Sequence, residues 1–212
     1  MTSRPAGASS AHRDRRLARY YRFHAYIYDL TRWSFLFGRT ALIEELAQLT
    51  QPQRILEIGC GTGVNLVRLA QRFPEARITG IDLSADMLTQ ASKHILACRD
   101  RIELIHGAYQ SPLKPEQPFD LIVCSYALSM INPGWEQVLE SCNRDLTAGG
   151  LIAVADFHDS SLALFRRWMR LNHVRMDAHL APRLKIHFRT RKLDLSRAYG
   201  GLWRYLLFIG EN

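Results

Sequence analysis

Three glycines at alternate positions, in Glu57-Ile58-Gly59-Cys60-Gly61-Thr62-Gly63, constrain this chain more than any other feature of it. The run from Arg54 to Ile58 has the apolar character of a short buried strand, and Val64 to Phe73 has helical spacing that stops before Pro74. Glycine belongs where a backbone turns sharply or passes within contact distance of something bound. Nineteen residues after Gly63, Asp82 ends a second strand-like run in Gly80-Ile81-Asp82-Leu83-Ser84. Strand, glycine turn, helix and strand together open an α/β domain.

The alternation continues along the chain. Further strands are predicted over Arg77 to Leu83, Arg101 to His106, Phe119 to Cys124, Leu151 to Asp156 and Leu202 to Ile209. Helices are predicted from a Ser84 cap to about Cys98, from Trp135 to Leu146 with Gly149-Gly150 ending it, and from Leu162 to His179. Three prolines between Gln110 and Pro118 exclude regular structure there. The expected fold is α/β, a doubly wound and mostly parallel sheet preceded by an aromatic helical segment. The division that follows is a disordered tail over 1–12, a helical lid or membrane-facing segment over 13–50, and the α/β domain over 51–212.

A chain of 212 residues with 47 % apolar composition can bury a full core, which excludes global disorder. No apolar stretch is long enough to span a bilayer. Cys60, Cys98, Cys124 and Cys142 form no C-x-x-C pair, and no export signal opens the chain, so a cytoplasmic location is expected. Lys and Arg total 28 against 20 acids, a net charge of +8, and the arginines crowd the two ends. Arg13, Arg15, Arg16, Arg19 and Arg22 lie at one end, and Arg166, Arg167, Arg170, Arg175, Arg183, Arg189 and Arg191 at the other. Basic ends on a balanced body suit an anionic partner surface; a merely solvated basic surface is the alternative.

A dinucleotide turn requires G-x-G-x-x-G, whereas here the third glycine comes one residue early and Glu57 precedes the first. That carboxylate opposes an anion and favours a cation. Asp82 can accept both hydroxyls of a ribose. Together these residues resemble the class I S-adenosylmethionine-dependent methyltransferases, with a Rossmann-like fold, over Arg54 to Asp156. The resemblance implies that Glu57, Gly59, Gly61 and Gly63 serve the methionine part of S-adenosylmethionine. It also implies that Asp82 holds the ribose, that Met87 packs on the adenine, and that Ser125 and Tyr126 end the fourth strand near the methyl group. One departure is Ala108, in Gly107-Ala108-Tyr109, where family members often carry an acid for the adenine amine. Backbone carbonyls or Tyr109 are left to take that contact.

The flanks speak to the acceptor. Tyr26-Ile27-Tyr28-Asp29-Leu30-Thr31-Arg32, Asp156-Phe157-His158-Asp159, Phe165-Arg166-Arg167-Trp168-Met169 and Asn172-His173-Val174-Arg175-Met176-Asp177 resemble bacterial betaine-lipid N-methyltransferases, as does Ala198-Tyr199-Gly200-Gly201-Leu202-Trp203-Arg204-Tyr205. That resemblance implies a lipid substrate, the amine of diacylglyceryl-homoserine, and peripheral attachment to an anionic inner-membrane surface. A methyl sulfonium needs no metal and no covalent nucleophile from the protein. A trimethylated product is held by aromatic faces, for which Tyr20, Tyr21, Tyr26 and Tyr28 are the source, Tyr28 foremost; core packing is their other use. Arg32, Arg175 and Arg204 are candidates for the headgroup carboxylate.

An acceptor amine must lose a proton. His158 serves that step or substrate binding, unless it only caps beside Asp159, and His173, on the predicted helix, joins a polar patch with Asn172 and Asp177. Tyr126 ends its strand near the same place. His24, His106 and His179 read as packing or surface residues. A soluble amine or quinone precursor is the alternative acceptor. A nucleic-acid substrate is not expected, because no motif for a flipped base is present. A binding protein without turnover is opposed by the intact glycine and acid set.

Overall fold

The computed structural model describes residues 35–113 and 117–212. Its seven strands form one sheet: β1 (Arg54–Ile58), β2 (Arg77–Asp82), β3 (Ile102–His106), β4 (Phe119–Ser125), β5 (Leu146–Asp159), β6 (Arg189–Ala198) and β7 (Trp203–Glu211). Their order across the sheet is β3-β2-β1-β4-β5-β7-β6. The pairs from β3 to β5 are parallel, while β7 is antiparallel to both of its neighbours. Six helices accompany them: α1 (Arg39–Leu49), α2 (Val64–Arg72), α3 (Ala85–His94), α4 (Trp135–Asp145), α5 (Ala163–Leu171) and α6 (Leu180–His187).

Two apolar clusters cover the two sheet faces. One gathers Leu42 and Leu46 of α1 and Leu66 and Leu69 of α2 with Ile55, Ile78 and Leu121. The other gathers Val138 and Leu139 of α4 and Leu180 and Leu184 of α6 with Leu56, Ile122 and Ile152. Alternate residues of β1 and β4 thus enter opposite layers, which is why both strands read as unbroken apolar runs. The expected doubly wound, mostly parallel sheet is the observed one.

Strand order reverses between β1 and β4, and a ligand site belongs at their carboxyl ends. Ser84 caps α3 as expected, its Oγ accepting from the Met87 N–H at 3.3 Å.

Three expectations are corrected. The helix expected from Leu162 to His179 ends at Leu171, where His173 takes φ 63° and turns the chain; α6 begins only at Leu180. Gly149-Gly150 lies inside the long β5, because α4 already stops at Asp145. An unforeseen strand, β6, forms the sheet edge beside β7. The aromatic segment before residue 35, with Tyr20, Tyr21, Tyr26, Tyr28, Arg32 and His24, lies outside the described residues. So does most of the segment over 13–50 expected to be a lid or membrane-facing helix, of which residues 35–50, with α1, are described.

Candidate active site

The glycine turn leaves β1 at Ile58 and crosses the end of β2. Gly59 and Cys60 donate their N–H groups to the Ile81 carbonyl, at 2.9 and 3.1 Å. Gly59 has φ 68°, and a Cβ there would stand 2.8 Å from that of Ala127. Only glycine allows both the conformation and the approach. Gly63 has φ 79° and caps α2, and a Cβ on it would meet Ala91 of α3 at 3.0 Å. Gly63 therefore serves the packing of α2 on α3, and it is not among the residues that line the cavity described below.

Asp82 organises the turn. One carboxylate oxygen accepts the Gly61 N–H at 2.8 Å, and the other accepts the Ser84 N–H at 2.9 Å. A carboxylate has about four acceptor positions, so capacity remains for hydroxyls arriving from the cleft.

Beside Asp82 opens a cavity of about 320 Å³. Gly59, Gly61, Asp82, Leu83 and Met87 form one wall, and Gly107 to Gln110 a second. Tyr126, Ala127 and Met130 to Pro133 form the third. Met87, in the first turn of α3, supplies an apolar surface beside Asp82, as a flat base attached to a ribose would require. The residues present fit S-adenosylmethionine: a close-approach backbone at Gly59 and Gly61, a ribose acceptor at Asp82 and an adenine wall at Met87.

Other sequence candidates fall elsewhere. Glu57 is buried on β1 and does not line the cavity; its charge is felt by Cys60, whose thiol burial, foremost, and Glu57 push up. Ser125 is buried at the end of β4 with its Oγ unpaired, and Tyr126 and Ala127 line the cavity in its place. Tyr126 contributes its ring alone, because its hydroxyl donates to the Phe37 carbonyl at 2.9 Å and burial drives its pKa well up. A proton-transfer role for that hydroxyl is thereby set aside. The Tyr109 hydroxyl is also committed, donating to Asp145 at 2.8 Å. Gln110, two residues beyond Ala108, lines the cavity with a side-chain amide that can accept from an adenine amine. The sequence reading missed it, and the absence of an acid at Ala108 was the signal to look there.

A second cavity of about 560 Å³ adjoins the first, the two sharing Asn132. Asp159, Ser160, Arg166, Arg170 and the stretch from His173 to Ala178 line it. Arg204, expected to receive a carboxylate, is paired instead with Asp159, which its guanidinium holds below the usual carboxylate range. Arg175 donates to Asp177 at 2.7 Å. Arg170, one of the basic residues that crowd the C-terminal end of the sequence, has no ion-pair partner among the described residues and stands one helical turn from Arg166.

His173 is exposed and lines this cavity from a turn, whereas His158 is buried at a β-bulge of β5, where register shifts against β7. The His158 Nδ1 is unpaired, so the ring does not cap through Asp159, and burial lowers its pKa. His158 lines neither cavity. His179 packs edge-on against Trp135 and bonds Asp177 at 2.6 Å, and His106 meets the Leu83 carbonyl at 3.1 Å. Asp156 lies under the loop between the cavities, accepting the Ser129 N–H at 3.0 Å, and burial raises its carboxyl to about 6. Among the described residues no cluster of three or more His, Cys, Asp or Glu could hold a metal, and no helix is long and apolar enough to cross a membrane.

A sheet of this order, with a glycine turn and an acid at its switch point, is the class I methyltransferase fold. Residues 55–150 match the family model described as a methyltransferase domain. Malonyl-[acyl-carrier protein] O-methyltransferase of Geobacter sulfurreducens is 33 % identical over 115 residues, covering 54 % of this chain and 42 % of that protein. Trans-aconitate 2-methyltransferase of Streptomyces avermitilis is 39 % identical over 105 residues, covering 48 % and 38 %. This chain thus spans about two-fifths of the length of these curated relatives. In fold it is similar to the N-methyltransferase NodS of Bradyrhizobium japonicum in complex with S-adenosyl-L-homocysteine, at a TM-score of 0.68 and 21 % identity, covering 82 % and 85 % of the two chains.

Proposed function

We propose that this chain is an S-adenosylmethionine-dependent N-methyltransferase whose acceptor is the amine of diacylglyceryl-homoserine, giving a betaine lipid. The observation that carries this reading is the second cavity. The tail motifs that resemble betaine-lipid N-methyltransferases, namely Asp159, Arg166 and the run from His173 to Asp177, line it, and it joins the cofactor cleft at Asn132.

The headgroup of such a lipid bears a carboxylate and an amine within a few bonds of each other. Arg170, with Arg166 beside it, offers the carboxylate a guanidinium not held by an acid. Asp159 and Asp177 line the same cavity, and although each is paired with an arginine, they add the acidic oxygens an ammonium would meet there. His173, on the same wall, offers an imidazole to take the proton that the ammonium must lose. When bound, the cofactor supplies an electrophilic methyl group on a sulfonium. The protein's part is to hold amine and methyl in line across the Asn132 seam and to shield them from water.

The same arginines favour a second reading, a free carboxylic acid methylated on oxygen. Malonyl-[acyl-carrier protein] and trans-aconitate methyltransferases are similar over the domain, and their names point to acids as substrates of those proteins. One experiment separates the readings. Purified protein is given methyl-labelled cofactor with diacylglyceryl-homoserine in mixed micelles, or with a panel of di- and tricarboxylates and malonyl-acyl carrier protein. Stepwise methyl additions to the lipid, read by mass spectrometry, support the betaine-lipid assignment. Label only in a base-labile ester of an acid overturns it.

A further inference from the structure

Helix α5 carries more apolar surface than its packing uses. Its core-facing side holds Met169, which is buried, and Phe165, whose ring stacks on Trp203 at 5.5 Å and 13°. Leu164, Trp168 and Leu171 recur at i, i+4 and i+7, which places them in one stripe. That stripe faces away from the core, with exposures of 81 %, 51 % and 73 %. A ridge of this kind on a helix end needs an occupant. The helix also contains no acid, and Arg167 is exposed beside the stripe. Arg166 and Arg170 lie on a further side, where they line the second cavity.

We propose that α5 is the element through which this protein seats itself on an anionic lipid surface, with Leu164, Trp168 and Leu171 entering the interface and Arg167 meeting the headgroups. Charge complementarity selects an anionic surface, and the form of the ridge selects a bilayer. Side chains standing this far out insert between headgroups, whereas a protein partner seats its anchors in fitted pockets. Tryptophan at the edge of such a stripe suits interfacial depth. Since Arg166 and Arg170 belong to the same helix, the acceptor cavity is placed beside the bilayer from which a headgroup would enter. In this respect the proposal deepens the lipid reading above, but its test does not depend on that reading.

Full-length protein is mixed with sucrose-loaded vesicles of phosphatidylglycerol or of phosphatidylcholine, neither containing a homoserine lipid, and sedimented at low and high salt. Wild type is expected to sediment with phosphatidylglycerol, less so at high salt, and to show a blue shift that Trp168→Phe removes. The triple variant Leu164→Ser, Trp168→Ser, Leu171→Ser is expected to lose partitioning by about tenfold or more. Its S-adenosylhomocysteine affinity is expected to stay unchanged in calorimetry, which reports that it is folded. Arg167→Glu, which replaces an exposed side chain, is expected to weaken binding to the anionic vesicles alone. Wild type left in the supernatant, a triple variant that sediments like wild type, or loss of an acidic carrier protein in place of vesicles would each overturn the proposal. Failure to methylate any lipid, with vesicle binding intact, would sink the substrate assignment and leave this surface standing.

Discussion

Asp82 accepts a backbone N–H on each carboxylate oxygen, so its removal disturbs the glycine turn as well as the ribose contact. Asp82→Ala is expected to weaken S-adenosylhomocysteine binding by about tenfold to a hundredfold, since a hydrogen bond to a charged group contributes roughly 1.5–3 kcal/mol. Isothermal calorimetry at neutral pH checks it, and an unchanged affinity would refute the placement. Asp156 makes a different prediction. Burial raises its carboxyl from 3.8 to about 6, so the folded chain keeps a proton that the unfolded chain releases. Stability from this group is fully present below about pH 4 and is lost as pH rises through about 6, a change of roughly 3 kcal/mol. His158 and His179, held below their ordinary values by burial, act in the opposite sense, their stabilisation fading as pH falls. Denaturant titrations of wild type and Asp156→Asn across this range isolate the Asp156 component, and parallel curves would exclude it. Asp82 was legible as a strand-end carboxylate beside the glycine turn, and it stands on the cavity wall as that position requires. Where the Glu57 carboxylate points was not legible, because a carboxylate next to the turn can lie beneath it or face the cleft, and only packing decides which.

The helix and strand pattern was legible wherever an element is buried on both sides. Strands β1 and β4 announce themselves through their apolar runs, and α2 and α3 through their spacing. Edge strand β6 was not legible, because half of Arg189–Ala198 is charged, as in edges that avoid further pairing. Helix α5 was overextended because Val174 and Met176 continue its apolar rhythm although His173 has already left helical conformation. Gly63 shows what a motif glycine can do at this scale. Gly63→Ala sets a Cβ 3.0 Å from Ala91 at φ 79°, and is expected to destabilise the fold by roughly 1–3 kcal/mol. Urea denaturation monitored by circular dichroism measures it, and a variant as stable as wild type would show that α2 and α3 can separate at no cost.

At the scale of the whole molecule, ligand and fold are linked. S-adenosylhomocysteine at about a hundred times its dissociation constant is expected to stabilise the folded chain by roughly 2.7 kcal/mol, which raises Tm by about 5–10 °C. Differential scanning fluorimetry with and without the ligand checks this, and Asp82→Ala is expected to abolish most of the rise. The two cavities meet at Asn132, in the strip from Ala127 to Pro133, whose backbone is pinned from below by Asp156 through Ser129. The Asn132 side chain fastens the strip to itself, donating to the Ser129 carbonyl at 2.7 Å. Under the proposed function, Asn132 would therefore border donor and acceptor alike. Loosening the strip with Asn132→Ala is expected to raise KM for both substrates together, so the enzyme's appetite for one would be hostage to its grip on the other.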